Sequence, residues 1–178
     1  MSNQQKMNIR RKVRAELRLL SADEKRERSG RLFGALAATA AFASAKTVLL
    51  FWSLPDEVFT HDFLEEWSKE KTFLLPVVVG SDMVLRKYEG RALMREGAFG
   101  ILEPSGEEFV DYDEIDLAIV PGVAFTEDGC RMGRGKGYYD RFLPKLKAVK
   151  IGVCFAEQIQ EQLPCEPWDI KMDSVIKG

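Results

Sequence analysis

Three glycines alternate with two basic residues between Arg131 and Asp140, in the segment Arg-Met-Gly-Arg-Gly-Lys-Gly-Tyr-Tyr-Asp. Glycine lets the backbone approach a ligand closely and adopt left-handed angles, so successive N–H groups can converge on an anion. Arg134 and Lys136 would neutralise that anion, and a helix that starts at Gly137 or at the next residue would add the positive end of its dipole. The segment predicts a polyphosphate site, although a solvated glycine-rich turn can have the same composition.

The spacing differs from that of a Walker loop, because no hydroxyl residue follows Lys136 to hold magnesium. Asp140 offers a carboxylate for this purpose. Asp169 is a candidate second oxygen ligand, since magnesium is often held by one or two carboxylates together with substrate phosphates. Taken alone, Asp169 is also typical of an ordinary turn.

Two other groups of residues have types suited to ligand binding. Trp52, Asp56 and Glu57 follow an apolar run, and they could offer a stacking surface and an acceptor to a planar heterocycle with N–H donors. Core packing of the tryptophan and helix capping by Asp56 are the alternatives. Lys6 and Arg10 lie one helical turn apart, so both could reach one phosphate group, unless that face is simply solvated.

Histidine and cysteine chemistry is not indicated. His61 is the only histidine and has no serine, cysteine or metal-binding residue nearby in the sequence, so we expect a structural role and no catalytic triad. Three cysteines without a Cys-x-x-Cys spacing imply neither a disulfide framework nor a zinc site.

Length and composition predict one domain over residues 1–178, because 46% hydrophobic residues can build one substantial core. A net charge of -2 argues against a protein built mainly to hold nucleic acid. No apolar run reaches the roughly 20 residues that span a bilayer, and the basic N-terminus lacks the apolar part of a signal peptide. We therefore expect a cytoplasmic protein without a membrane partner.

Hydrophobic periodicity predicts an α/β fold. A helical pair comes first: its first helix carries apolar residues at helical spacing, and its second runs from a capping box at Ser21–Glu24 towards Phe42. Further helices are predicted at 61–70 and 138–147. Short apolar runs predict strands at 47–52, 72–79, 116–120 and 149–154, with a more exposed strand at 83–88 and a loop at 97–106.

Short buried strands separated by helices indicate a mostly parallel sheet flanked by helices. Ligands of such sheets bind beyond the carboxyl ends of the strands. The segments 53–57 and 121–136 would both emerge there.

Four segments together resemble the 5-formyltetrahydrofolate cyclo-ligase (5,10-methenyltetrahydrofolate synthetase) family. The block from Val120 to Leu143 is highly specific, and the likeness covers nearly the whole chain. The other three segments are Lys6-Met-Asn-Ile-Arg10, Phe51-Trp-Ser-Leu-Pro-Asp-Glu57 and Phe99-Gly-Ile-Leu-Glu-Pro104.

The resemblance implies a single Rossmann-like domain that uses ATP and Mg²⁺ to close 5-formyltetrahydrofolate, with or without a polyglutamate tail, into 5,10-methenyltetrahydrofolate. ADP and phosphate would be released through a phosphorylated N5-formyl (iminium phosphate) intermediate, without a covalent enzyme intermediate. We expect a monomer.

The resemblance also implies residue roles. Arg134 and Lys136 would be catalytic, and Asp140 and Asp169 would hold the metal. The residues that would bind ATP are Lys6, Arg10, Arg131, Gly133, Arg134, Gly135, Lys136, Gly137, Tyr138 and Tyr139. Those that would bind the folate are Trp52, Glu57, Arg134, Gly135, Lys136, Gly137 and Tyr138.

Two alternative functions use the same residues. A small-molecule kinase would have the same loop but release a phosphorylated product instead of free phosphate. A nucleic-acid-binding module would use the basic N-terminal helix and the tyrosines as a charged stacking surface.

Overall fold

The computed structural model describes residues 3–97, 100–166 and 169–178. The helices are α1 (Asn3–Leu17), α2 (Ala22–Ala37), α3 (Ala40–Ser44), α4 (His61–Trp67) and α5 (Tyr138–Phe142). The strands are β1 (Thr47–Leu49), β2 (Thr72–Val79), β3 (Asp82–Lys87), β4 (Met94–Glu96), β5 (Leu102–Pro104), β6 (Glu108–Phe109), β7 (Leu117–Val120), β8 (Ala124–Phe125), β9 (Arg131–Met132), β10 (Val149–Cys154) and β11 (Ser174–Lys177). Phe99, part of one family segment, lies outside the described residues.

Seven strands form the central sheet, in the order β11-β10-β7-β1-β2-β3-β6. The first five are mutually parallel, while β3 and β6 extend the sheet in antiparallel pairing. This confirms the predicted mostly parallel α/β sheet. Two small antiparallel pairs, β4–β5 and β8–β9, lie outside it.

The sheet is covered on both faces. All four residues of β7 are buried, and successive side chains of a strand point to opposite faces. Leu117 and Ile119 pack in the cluster that contains side chains of α1, α2 and α4, while Ala118 and Val120 pack in the cluster that contains Phe142 of α5. The continuous apolar run of a central strand thus follows from its two buried faces.

The predicted helical pair is present, and Ser21 begins α2 by accepting a hydrogen bond of 3.1 Å from the Glu24 N–H. The prediction that α2 runs to Phe42 was wrong. The helix ends at Ala37, and a separate short helix begins when the Thr39 hydroxyl accepts the Phe42 N–H at 3.2 Å. Threonine favours such a cap over a helix interior, because its oxygen satisfies a free backbone donor.

Other predicted boundaries also need correction. The first strand ends at Leu49, and α4 ends at Trp67. The helix predicted to reach residue 147 becomes a 3₁₀ turn after Phe142, where Pro144 supplies no backbone donor. The segment 97–106 is not only loop, because it contains β5, which pairs with the preceding strand β4.

Strands β1 and β7 are neighbours, so the segments that follow them leave the same edge of the sheet side by side. These are the segments at 50–60 and 121–137. Among the described residues, no helix is both long and apolar enough to cross a membrane.

Candidate functional site

The glycine loop, defined as residues 133–137, connects the β8–β9 hairpin to α5. Gly135 and Gly137 have φ angles of 100° and 70°, in the region that other residues rarely adopt. Gly137 is also the residue that caps α5. The alternation of glycine with basic residues therefore has a conformational cause as well as a chemical one.

The N-terminal helix meets this loop through Arg10. Its Nε donates a 2.9 Å hydrogen bond to the carbonyl oxygen of Gly133. A Cβ atom on Gly135 would lie 3.5 Å from the guanidinium carbon of Arg10. Lys6, one turn earlier, forms no hydrogen bond or ion pair with the part of the chain that the structure describes. Of the predicted pair, Arg10 therefore contacts the glycine loop and Lys6 does not.

Arg131 contacts protein groups around the glycine loop. Its side chain is only 4% exposed and forms an ion pair with Asp140. It also donates to the carbonyl oxygen of Pro121 at 3.3 Å, and its guanidinium carbon lies 5.5 Å from the centre of the Tyr139 ring. Arg131 thus binds protein groups here, and its contact with a phosphate stays a prediction.

Two carboxylates hold Arg134. Its Nη1 and Nη2 bind the two oxygens of Asp56 at 3.1 and 2.6 Å, and its Nε and Nη2 contact one oxygen of Glu57 at 3.3 and 2.9 Å. The arginine side chain is about one-third exposed, at 34%. The loop after β1 and the glycine loop are therefore joined by a planar, two-pronged ion pair of the kind that arginine forms best.

The electrostatics of the two carboxylates differ because their burial differs. Glu57 is 11% exposed, and burial raises the pKa of its carboxyl above the usual value while the Arg134 charge opposes the shift. Burial also acts to raise the pKa of Asp56, but its hydrogen bonds to Arg134 and the charge of that residue outweigh burial and leave the pKa lowered. Glu57 further accepts the Leu54 N–H at 2.9 Å.

Tyr139, in the first turn of α5 directly after the glycine loop, carries a buried polar group. Its hydroxyl is buried and has no hydrogen-bond partner among the described residues. Burial, together with the charge of Glu57, raises the pKa of the phenol. A buried hydroxyl without a partner is uncommon, because leaving it unpaired costs free energy.

Lys136 contributes an exposed ammonium group to the glycine loop. The residue is exposed, and within the described residues its ammonium group forms no hydrogen bond or ion pair. Its carbonyl oxygen, in contrast, is held by Arg141 at 3.0 Å. Lys136 therefore combines a restrained backbone with an available charge.

Trp52 is only partly available as a stacking surface. His61 stacks on the Trp52 ring at 3.7 Å between centroids with an interplanar angle of 19°, and Arg91 lies 5.8 Å from the ring. Burial, assisted by the Arg91 charge, lowers the pKa of His61 to about 4, so the imidazole is neutral at pH 7. A heterocycle that stacks on this tryptophan must use the face that His61 leaves open.

The two predicted metal ligands have separate partners. One Asp140 oxygen is paired with Arg131, which leaves Oδ2 without a hydrogen bond in the described structure. Asp169 accepts the Glu166 N–H at 2.8 Å. Among residues 3–97, 100–166 and 169–178, no cluster of three or more His, Cys, Asp or Glu side chains could hold a metal. A site with one or two carboxylates stays a prediction.

Sequence reasoning missed Arg14 and gave Asp56 no ionic role. Burial acts to raise the pKa of Asp56, the interactions with Arg134 outweigh it, and the charge of Arg14 adds to the lowering. Its signal was its spacing, because Arg14 follows Arg10 by one helical turn.

Known proteins resemble the chain over most of its length. Residues 2–178 match the sequence model of the 5-formyltetrahydrofolate cyclo-ligase family. The chain is 32% identical to the 5-formyltetrahydrofolate cyclo-ligase of Mus musculus over an alignment of 190 positions, which covers 98% of this chain and 94% of the mouse protein.

Two solved structures share the fold. The NMR structure of Aquifex aeolicus 5,10-methenyltetrahydrofolate synthetase has a TM-score of 0.86 and 38% identity, covering 97% of this chain and 89% of that one. The 5,10-methenyltetrahydrofolate synthetase of Mycoplasma pneumoniae has a TM-score of 0.77 and 26% identity, covering 96% and 97% of the two chains.

Proposed function

Because the chain belongs to the 5-formyltetrahydrofolate cyclo-ligase family, we propose that it cyclises 5-formyltetrahydrofolate to 5,10-methenyltetrahydrofolate at the expense of ATP, with Mg²⁺ as the metal. ADP and phosphate are the other products. The observation that carries the proposal is the meeting of Arg10, Arg134 and Lys136 at one glycine loop, beside the nearly buried carboxylate of Glu57.

The glycine loop suits a triphosphate. Gly135 and Gly137 have positive φ angles, and Lys136 between them is exposed and unpaired within the described residues. Side chains at these two positions would be strained, whereas glycine leaves the backbone accessible to an anion. We assign the nucleotide to Lys6, Arg10, Arg131 and the residues from Gly133 to Tyr139.

Asp140 and Asp169 are the residues that would hold magnesium. Asp140 keeps one oxygen without a hydrogen bond among the described residues, which fits a metal that is bound by few protein groups and by phosphates. Bound magnesium would neutralise charge on the phosphate oxygens during transfer.

Glu57 and Trp52 are assigned to the folate. In its ionised form Glu57 only accepts hydrogen bonds, and its bond to Arg134 holds it next to the glycine loop. An incoming ring with N–H donors can replace that arginine on Glu57 while Asp56 retains it. Gly135, Gly137 and Tyr138 border both ligands in this arrangement.

The proposed chemistry needs an activated formyl group, since a formamide carbon is a poor electrophile. The formyl oxygen takes the γ-phosphoryl group as ADP leaves, which gives an N5-iminium phosphate. N10 then attacks the formyl carbon and loses its proton, and phosphate departs with the former formyl oxygen. Arg134 and Lys136 stabilise the negative charge on the transferring group, which is the main demand of phosphoryl transfer.

The test is to mix the purified protein with 5-formyltetrahydrofolate and Mg-ATP and to follow the near-ultraviolet absorbance of the methenyl product. We expect ATP-dependent growth of that band with one phosphate released for each product formed. A phosphorylated folate without free phosphate would instead indicate a kinase. No product, with no ATP consumed, would refute the proposal.

A further inference from the structure

Arg141 joins two segments that are distant in the sequence. Its Nη1 donates to the carbonyl oxygen of Lys136 at 3.0 Å, and its Nη2 donates to that of Ser81 at 2.7 Å. The first carbonyl belongs to the glycine loop and the second to the turn between β2 and β3. One guanidinium thus ties the loop to the central sheet.

The neighbouring residues accommodate this guanidinium. A Cβ atom on Gly137 would lie 2.7 Å from Nη1 of Arg141, so a larger residue there would displace it. The guanidinium carbon also lies 5.5 Å from the centre of the Tyr138 ring, within the range of a cation–π contact. Gly137 therefore serves the packing of Arg141 as well as the backbone angle of the loop.

The β2–β3 turn, which carries the Ser81 carbonyl, is held in place by the sheet. Strands β2 and β3 pair continuously from Leu74↔Lys87 to Val79↔Asp82, which leaves Gly80 and Ser81 as a two-residue turn. The Ser81 carbonyl lies outside the ladder and can accept from Arg141. Because the hairpin belongs to the seven-stranded sheet, its position is set by the core.

We propose that Arg141 is a positioning residue that fixes the backbone of Lys136 for phosphoryl transfer; this rests on the proposed function. Lys136 lies between two glycines, whose conformational freedom would otherwise allow the lysine backbone to adopt several positions. Arg141 removes that freedom through the Lys136 carbonyl and leaves the ammonium group available. In this proposal Arg141 acts through Lys136 and does not itself touch a substrate.

The test compares Arg141→Ala and Arg141→Lys with the control Lys147→Ala. Lys147 is an exposed cation in the same region, and its ammonium pairs with Asp113 at 2.8 Å, outside the loop. In Arg141→Ala we expect lower backbone amide order parameters, measured by NMR relaxation, at residues 133–137 in the ligand-free protein. Because misplacement by about 1 Å can cost roughly 100-fold, we expect kcat/KM for ATP to fall about 10- to 100-fold.

The pattern of effects separates positioning from general damage. The order parameters of β7 should stay unchanged, and Arg141→Lys should recover part of the loss because a lysine can still reach one carbonyl. Unchanged order parameters of the loop in Arg141→Ala, or lower ones with unchanged kcat/KM for ATP, would overturn the proposal. If the alanine variant does not fold, the lysine variant is judged by the same two readouts.

Failure of the proposed function would be seen separately. The loop order parameters are measured without ligand, and the wild-type assay with ATP and 5-formyltetrahydrofolate precedes that measurement. An inactive wild type, together with a less ordered loop in Arg141→Ala, would refute both the cyclo-ligase proposal and the role of Arg141 in that reaction. The structural connection that Arg141 makes between the glycine loop and the β2–β3 turn would still stand.

Discussion

Replacing Glu57 by glutamine tests the folate side of the site most directly. One Glu57 oxygen accepts the Leu54 N–H at 2.9 Å, and the other accepts Arg134 at 2.9 and 3.3 Å. Glutamine has only one oxygen, so its amide nitrogen must face one of these donors. The variant therefore keeps the shape of the side chain but loses its charge and one set of hydrogen bonds.

The magnitude follows from these contacts. A hydrogen bond to a charged group is worth about 1.5–3 kcal/mol, and Asp56 continues to hold Arg134, so we expect a stability loss of about 1–2 kcal/mol. That corresponds to a decrease in Tm of roughly 2–8 °C for a chain of this size. If Glu57 also binds the folate ring, losing one such bond lowers kcat/KM for 5-formyltetrahydrofolate about 10- to 150-fold.

The assay is the formation of the methenyl band at varied folate and varied ATP, with thermal unfolding of the same samples. We expect a higher KM for the folate and little change in the KM for ATP. Glu107→Gln, a change of the same chemistry at an exposed residue, is the control. A folded Glu57→Gln enzyme with kcat/KM for the folate within about two-fold of wild type would refute the reasoning and leave Glu57 only as an anchor of Arg134.

Three further substitutions test other features. Lys136→Ala should lower kcat by about 10²–10³-fold without lowering Tm, because it removes charge stabilisation from an exposed side chain; unchanged turnover would contradict this. Because the His61 pKa is about 4 when folded and near 6.5 when unfolded, the unfolded state binds the proton first, so wild type should lose stability between about pH 7 and pH 4. In urea unfolding, His61→Gln should lose roughly 1–2 kcal/mol less unfolding free energy than wild type over this pH range; the figure is smaller than the full pKa shift would give, because the side chain is partly exposed to solvent. Equal losses in the two proteins would contradict this prediction. Gly129→Ala should cost about 3 kcal/mol or more in urea unfolding, since φ is 89° and its Cβ would lie 2.2 Å from the Met172 carbonyl oxygen; a variant as stable as wild type would show that this contact is not rigid.

The central sheet was predictable because its inner strands are buried on both faces. Strands β7 and β10 appear in the sequence as short apolar runs without alternation, and both were placed within a residue of their observed bounds. Strand β11 was missed because it is a partly exposed edge strand with only two apolar residues, Val175 and Ile176. Strands β8 and β9 have two residues each, which is too short for any periodicity to appear.

The site was predictable only where its residues are close in sequence. The glycine loop is one continuous segment, so its composition indicated its geometry. The ion pair of Arg134 with Asp56 joins residues 78 positions apart, and it depends on β1 and β7 being neighbours in the sheet. The stack of His61 on Trp52 likewise depends on how the chain turns back after β1, and no local pattern encodes that turn.

The ion pairs at the site have a consequence for how the proposed reaction is organised. In the described structure Asp56 and Glu57 already neutralise Arg134, whereas Lys136 has no partner among the described residues. Lys136 can therefore attract a phosphate at once, but Arg134 can contribute its charge only after at least one carboxylate releases it. A folate ring that takes the place of Arg134 on Glu57 would provide that release. Binding of one substrate would then prepare the arginine that acts on the other, which links the two halves of the site through a single side chain.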